Sequence, residues 1–477
     1  MTASSRARHL VLVVLDTARA DAFEPYGAPP GASPAVRDLA ARGWAAGYAV
    51  APSSWTLPSH VAMLRGQSHR AAGLVKARQT TPSLARPVLE AGRHRYLPAV
   101  LQEAGWRTTG ASTNLGVQAE AGFDLGFDAF HALWANRSDA LAGTGWRTGL
   151  RWAREGLLSR NDDGLTAASA VAQRWVDGLG GSSQPQLLFL NLTECHSPYL
   201  PPRPYNDLGP TARIRAGLEA HRHLGLEAVW RTNLSRELPP AAALDRMRHL
   251  YARSARYLDD WLAAFLTALE EARALDDTVV VVTSDHGENL GEAGRLGHSF
   301  SLDERLLQVP LVTLGCDSSA PQGAFGMTGL PALLTAELGL PGMPYDDAGS
   351  GPAVARVEGV GEPDDPQVLD ALERWGLGRE HVFAMTSDAV AASDGRFKVV
   401  QRGHVEQVLD LAADPLEVAP LDEDEVRKRG QEQVRVLRRA VATALRTTTP
   451  PDLPPVREAS PAARGQLADQ MRLLGYL

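Results

Sequence analysis

The chain has 477 residues, 44% of them hydrophobic and 22% charged, which is enough for a large enclosed core plus a smaller subdomain and excludes a disordered or fibrous class. A formal net charge of −8 argues against a nucleic-acid backbone as the main partner, because that attraction needs a basic footprint. Cys195 and Cys316 are too few for a disulfide framework, and no apolar run approaches membrane-spanning length, so the expectation is a soluble, cytoplasmic protein without a membrane partner.

The mildly basic start is followed by a short apolar run, residues 10–15, which ends on Asp16 without a small-residue cleavage site and reads as a core strand rather than a leader. A Pro/Gly-rich loop follows, in which Arg19 and Asp21 are expected to hold the chain together. A helix over 35–42 and a strand over 44–50 come next. Then comes Ala51-Pro-Ser-Ser-Trp-Thr56-Leu-Pro-Ser-His60, with a helix predicted over 59–64 just behind Thr56. Such a helix start turns backbone N–H groups and partial positive charge toward whatever is bound in front of it, which suits an oxyanion.

Residues 96–104 have helical spacing, and 107–112 reads as a strand ending at Thr113-Asn114, where Asn114 is either a turn residue or placed to reach a ligand. Residues 122–130 are aromatic and turn-rich, and 135–185 read as one or two helices without a usable motif. A strand over 187–192 delivers Thr193-Glu194-Cys195-His196. Residues 201–238, rich in Pro, Arg and His, read as a loop or lid. A long amphipathic helix over 241–272 then leads to the valine-rich strand 279–283, which ends in Ser284-Asp285-His286-Gly287-Glu288. Gly297-His298 and a strand over 309–314 follow.

Beyond residue 350 the pattern changes to short strands and turns, with a hairpin over 397–401 and 407–411, a charged helix over 423–445, a Pro-rich link over 449–455 and a short closing helix. His60, His69, His94, His221 and His223 read as structural or surface residues, and Glu288 and Asp303 as helix-start or packing carboxylates.

In an open α/β sheet ligands sit outside the carboxyl ends of the strands. Asp16, Thr56, Asp285 and His286 can therefore meet there although the chain separates them widely. Three oxygens and an imidazole nitrogen make a first shell for one divalent cation. Taken singly, Asp16 and Thr56 would pass as caps or turn residues; Asp285-His286 after a run of valines is harder to explain that way.

Taken together, Val-Val-Leu-Asp16, Ser-Ser-Trp-Thr56-Leu-Pro-Ser-His, Glu194-Cys-His196-Ser-Pro-Tyr, Ser-Asp285-His286-Gly-Glu and Gly-His298-Ser-Phe-Ser-Leu resemble the sulfatase branch of the alkaline phosphatase superfamily. The resemblance implies an α/β fold with a doubly wound, mostly parallel sheet flanked by helices (1–350), a smaller α+β C-terminal subdomain (351–447) and a terminal Pro-rich segment with a helix (448–477). It also implies Asp16, Asp285 and His286 as metal ligands, with Thr56 as nucleophile and further ligand. His196 and His298 would contact the transferred group or its leaving oxygen.

Two departures set the expected chemistry. Sulfatases place a Cys or Ser in Cys-x-Pro-x-Arg and oxidise it to formylglycine, whereas this chain has Thr56-x-Pro58-x-His60, which cannot yield that aldehyde. Phosphoryl transfer through a phospho-threonine is then the expectation, on a small anionic ester, monoester or diester. Sulfate-ester hydrolysis, phosphoryl transfer to an acceptor and a catalytically inactive binding protein stand as alternatives. Thr17 stands where many sulfatases have a further Asp, which with the imidazole of His286 favours Mn or Zn over Ca or Mg in a single-metal site. Nothing in the pattern specifies the oligomeric state.

Overall fold

The computed structural model describes residues 9–74, 85–133, 146–160, 162–180, 183–340, 345, 349 and 351–448. Its centre is a seven-stranded sheet in the order Trp44–Ala45, Leu311–Leu314, Thr278–Thr283, His9–Leu15, Gln186–Leu192, Arg107–Ser112, Ala129–Ala132. The five strands from Thr278–Thr283 to Ala129–Ala132 are parallel; Leu311–Leu314 and Trp44–Ala45 close one edge antiparallel.

The central strand shows why both faces are covered. Successive side chains of a strand point to opposite sides, and His-Leu-Val-Leu-Val-Val-Leu is apolar on both. Leu10, Leu12 and Val14 join one core with Val61 and Met63 of helix Thr56–Arg65 and with Leu97 and Leu101 of helix Leu97–Glu103. Val11, Val13 and Leu15 join the other, built from Leu39 of helix Pro34–Arg42, Trp175 of Leu165–Leu179, and Leu258, Leu262 and Leu269 of Ala241–Glu271. Each such side chain contributes roughly 1.5–3 kcal/mol by leaving water, which is why a parallel sheet reads as continuous apolar runs rather than alternation. This is the doubly wound arrangement expected.

Beside it stands a four-stranded antiparallel sheet, Ala353–Val357, Ala389–Ser393, Phe397–Arg402 and Val405–Asp410. Helix Gln431–Arg446 covers one face through Val434, Leu437 and Val441. Inside that layer Lys398 is fully buried, its ammonium between Glu304 (2.9 Å) and Glu417 (2.7 Å).

Several expectations need correction. Residues 201–238 are not a loop throughout: they contain helices Pro210–His223 and Leu226–Ser235. The first crosses Trp146–Leu158 at Gly156 and Gly217, where an added Cβ would lie 2.3 Å from the Arg213 carbonyl oxygen or 2.1 Å from that of Trp152. Close backbone approach, rather than a hydrophobic period, defines that crossing. The strand expected over 309–314 is two strands, Gln308–Val309 and Leu311–Leu314, in different sheets, separated by Pro310, which has no N–H to donate. Likewise 44–50 is divided between the large sheet and a three-stranded one. The helix expected over 423–445 is broken at Gly430 into Glu423–Arg429 and Gln431–Arg446. The turn-rich stretch 122–130 runs into the edge strand Ala129–Ala132. The link over 449–455 and the closing helix lie outside the described residues. Among the described residues no helix is long and apolar enough to cross a membrane.

Candidate active site

Strand register brings the polar residues to one edge. Leu15 pairs with Leu192 and Val14 with Thr283, so the residue after each strand emerges at the same level. The Asp16 N–H donates to the Leu192 carbonyl (2.8 Å), and that of Thr113 to Asn191 (3.0 Å), continuing the ladder one residue beyond the strands. Asp16, Asp285 and His286 meet there, fully buried, each offering a ligand atom within 4.8 Å of the others.

The partners of this trio fix its orientation. Asp285 Oδ1 accepts the N–H of Thr17 (3.1 Å) and of His286 (2.9 Å). Asp16 Oδ2 accepts the Asn114 amide at 2.7 Å and that of Asn191 at 3.4 Å. His286 Nδ1 lies 2.9 Å from the Gly287 carbonyl, which can only accept, so Nδ1 carries the proton and Nε2 presents a lone pair. Gly287 is required for a steric reason: a Cβ there would fall 2.0 Å from the Arg305 carbonyl oxygen. Asp16 Oδ1 and Asp285 Oδ2 have no hydrogen-bond partner.

Thr56 is the first residue of its helix, three positions earlier than the predicted start. Trp55, extended at φ −158° and ψ 161°, forms the N-cap and supplies no side-chain acceptor, so the N–H groups of Thr56 and Leu57 are not capped by a side chain. The Thr56 hydroxyl lies 3.3 Å from His286 Nε2. His60, read from sequence as structural or surface, is the former: it is buried beneath the site. Its Nδ1 is 3.0 Å from the Thr56 carbonyl and 3.5 Å from Asp285 Oδ2, and burial pushes its pKa down to about 4 despite the Thr56 carbonyl, so it stays neutral. Asn114 reaches Asp16 rather than open space, since its carbonyl oxygen also accepts the Gly116 N–H at 2.6 Å.

His196 and His298 stand on the other side, with ring centres 5.3 Å apart, and His298 is 4.7 Å from the ring of His286. His298 Nδ1 is 3.0 Å from Glu288 Oε1. Burial pulls the His298 pKa down, but the Glu288 carboxylate more than offsets this and the net direction is upward. Glu288, read from sequence as a helix-start or packing carboxylate, here faces His298; the signal available was its position two residues past His286. Asp303 does act as a cap, accepting the Arg305 N–H at 3.1 Å, and Arg19 pairs with Asp21 as expected.

The electrostatics of the trio ask for a cation. Burial raises Asp16, only partly countered by His196 and His298; Asp285 is pushed well above the carboxylate range by burial and then by Asp16; burial drives His286 well below its ordinary value. Two buried carboxylates with unpaired oxygens beside an imidazole lone pair fit one divalent ion, which would reverse each of these penalties.

The Sulfatase family model matches residues 8–324, and the chain belongs to that family. Among curated relatives it is 33% identical to the choline-sulfatase of Rhizobium meliloti (strain 1021) over 182 residues, 38% of this chain and 34% of that one. The chain thus spans about a third of the length of that relative. Among solved structures, the phosphonate monoester hydrolase of Agrobacterium radiobacter superposes with a TM-score of 0.59 at 17% identity, covering 92% of this chain and 95% of the other. A 2-O GAG sulfatase gives a TM-score of 0.59 at 13% identity, covering 92% and 93%. At these identities the structural likeness is one of fold.

Proposed function

We propose that this protein is a metal-dependent hydrolase of small phosphate esters, monoesters or diesters, with Thr56 as a nucleophile that carries the phosphoryl group between two half-reactions. The observation that carries this reading is a threonine hydroxyl, unable to give the formylglycine aldehyde, at a helix N-terminus, 3.3 Å from His286 Nε2 and beside two carboxylates with unpaired oxygens. A sulfated threonine lacks the aldehyde hydrate that expels sulfate, whereas a phospho-threonine is cleared by in-line attack of water at phosphorus.

Asp16, Asp285 and His286, with Thr56 Oγ1, would hold one divalent ion, Mn or Zn in preference to Ca or Mg. Bound there, it supplies Lewis acidity that neutralises anionic charge and lowers the hydroxyl pKa. The chain's own residues do the rest. Thr56 Oγ1, its proton passed to solvent, attacks phosphorus in line and the bond to the leaving oxygen breaks on the far side; in the second half-reaction water attacks phosphorus and the bond to Thr56 Oγ1 breaks. His298, whose pKa Glu288 raises, donates its Nε2 proton to that oxygen and later accepts one from the attacking water. The first-turn N–H groups of the Thr56 helix face the charge that develops on the phosphoryl oxygens. His196 binds the anion beside His298. Asn114, committed through both ends of its amide, positions Asp16 rather than contacting the substrate.

The relative named choline-sulfatase favours a second reading, sulfate-ester hydrolysis in the same pocket. Aryl phosphate, phosphodiester and aryl sulfate offered to the Mn- or Zn-loaded chain separate the two. Turnover of phosphate esters that disappears in Thr56→Ala is expected; turnover of the sulfate alone rejects the phosphoryl assignment.

A further inference from the structure

Away from the catalytic edge, three arginines from distant parts of the chain line one cavity of about 290 Å³. Arg236 ends helix Leu226–Ser235 in the left-handed conformation (φ 62°). Arg295 stands between the short paired strands Asn289–Leu290 and Leu296–Gly297, and Arg402 ends strand Phe397–Arg402. Leu234, Phe300, Phe383 and Val400 are among the apolar walls.

The acids on the wall meet this charge only in part. Asp303 pairs with Arg295 (3.3 Å) while also accepting from Ser301 and Asn289. Glu417 is taken by Lys398 at 2.7 Å and by the Glu304 N–H at 2.6 Å. Arg236 and Arg402 bond only to main-chain oxygens: Arg236 to Ala293 (3.2 Å), Arg402 to Ser387 (3.0 Å) and Phe300 (2.6 Å). Among the described residues neither forms an ion pair. Arg295 Nε is buried without a hydrogen-bond partner. Burial first, then Arg295, pulls both Arg236 and Arg402 below the usual guanidinium range, Arg402 to about 10, against a smaller upward pull from Asp303 on Arg236 and from Asp388 on Arg402. Guanidinium groups are planar forks suited to oxyanions, and gathering three of them around one paired carboxylate is costly unless an anion completes the set.

We infer that Arg236, Arg295 and Arg402 form a second oxyanion-binding site, separate from the Thr56 pocket, which takes a phosphate, sulfate or carboxylate group carried on a small apolar body. The site abuts the loop that bears His298. The Phe300 carbonyl accepts from Arg402, its ring packs on Trp230 with centres 5.2 Å apart, and Trp230 Nε1 donates to Ser299 Oγ at 3.1 Å. Phe300 itself has φ 59°, a conformation that a bulky residue holds only when its surroundings insist. An anion in the cavity therefore fastens the segment between His298 and the C-terminal sheet. That anion is either the distal charged group of the ester being cleaved or a free oxyanion acting from outside the reaction.

The test is calorimetric titration of the full, metal-loaded chain with inorganic phosphate and, separately, benzoate, alongside Arg236→Gln and Arg402→Gln, with thermal unfolding to verify each fold. Expected is the loss of one binding equivalent, or at least about tenfold weaker binding, in each variant. Arg402→Gln removes two loop contacts and can unfold the loop; Arg236→Gln, bonded to a single carbonyl, then decides. A folded Arg236→Gln that binds both probes as the parent does overturns the inference. Aryl phosphate esters with and without a remote carboxylate identify the source. A preference of about tenfold in kcat/KM for the carboxylated ester that collapses in Arg236→Gln assigns the distal group. Equal kcat/KM with binding retained in the parent assigns the free oxyanion. Because binding is read directly, the site stands or falls independently of the role of Thr56.

Discussion

Lys398, beneath the C-terminal hairpin, and Asp285, at the edge of the large sheet, are both fully buried, but only the first is fully partnered. Lys398 lies between two carboxylates, one of which also accepts the Tyr48 hydroxyl at 2.6 Å, and this setting holds the ammonium charged against the pull of burial. Asp285 faces a second carboxylate, keeps an unpaired oxygen and is pushed toward its neutral form. Buried charge that is compensated within the chain ties two layers together; buried charge left incomplete is held ready for something the chain does not supply. The arginine cavity repeats the second pattern with the opposite sign.

The largest effect that would sharpen this contrast is chemical. Thr56→Ala is expected to lower kcat/KM for a phosphate ester by about a thousandfold or more, roughly 4 kcal/mol of transition-state stabilisation, while the metal is retained. The comparison breaks if Thr56→Ala turns over as the parent does.

Next comes Lys398→Met, which strands Glu304 and Glu417 and is expected to cost about 3–5 kcal/mol in urea unfolding without changing metal affinity. Asp285→Asn should do the reverse. It removes one of two like charges, so the metal-free protein gains about 1 kcal/mol while metal binding is lost. The sign of its pH dependence follows: a carboxylate whose folded pKa is raised destabilises as pH rises through that value, so the metal-free parent loses stability relative to Asp285→Asn between acidic and neutral pH. Identical unfolding curves for the two metal-free proteins at neutral pH would remove the repulsion from the account.

The smallest effect concerns Glu288→Gln. Its carboxylate raises His298, so the variant should lose the protonated acid at lower pH, moving the alkaline limb of kcat toward acid. An unmoved limb excludes His298 as the acid that limits turnover.

The sheet and its edge were legible because apolar runs such as Val279-Val-Val-Val announce strands, and a polar residue directly after such a run lands where ligands bind. Asp16 and Asp285-His286 were found that way. The helix pair at Gly156 and Gly217 was not, since close backbone approach leaves no apolar period to read. Nor was the division at Pro310, where a single missing donor assigns two halves of one apolar run to different sheets. Glu288 and His60 escaped for another reason: each acts through a neighbour, and only Glu288, two residues past His286, carried a positional sign of what it would face. Arg236, Arg295 and Arg402 come from three segments with no common pattern, and only the fold brings them together.

The fate of the Thr56 hydroxyl during turnover tests its role as nucleophile most directly. Acid quenching of the metal-loaded enzyme with an aryl phosphate, followed by mass analysis of the peptide carrying Thr56, should reveal one phosphoryl group on that residue during turnover and none in Thr56→Ala. Steady hydrolysis with Thr56 unmodified at every quench time would contradict it.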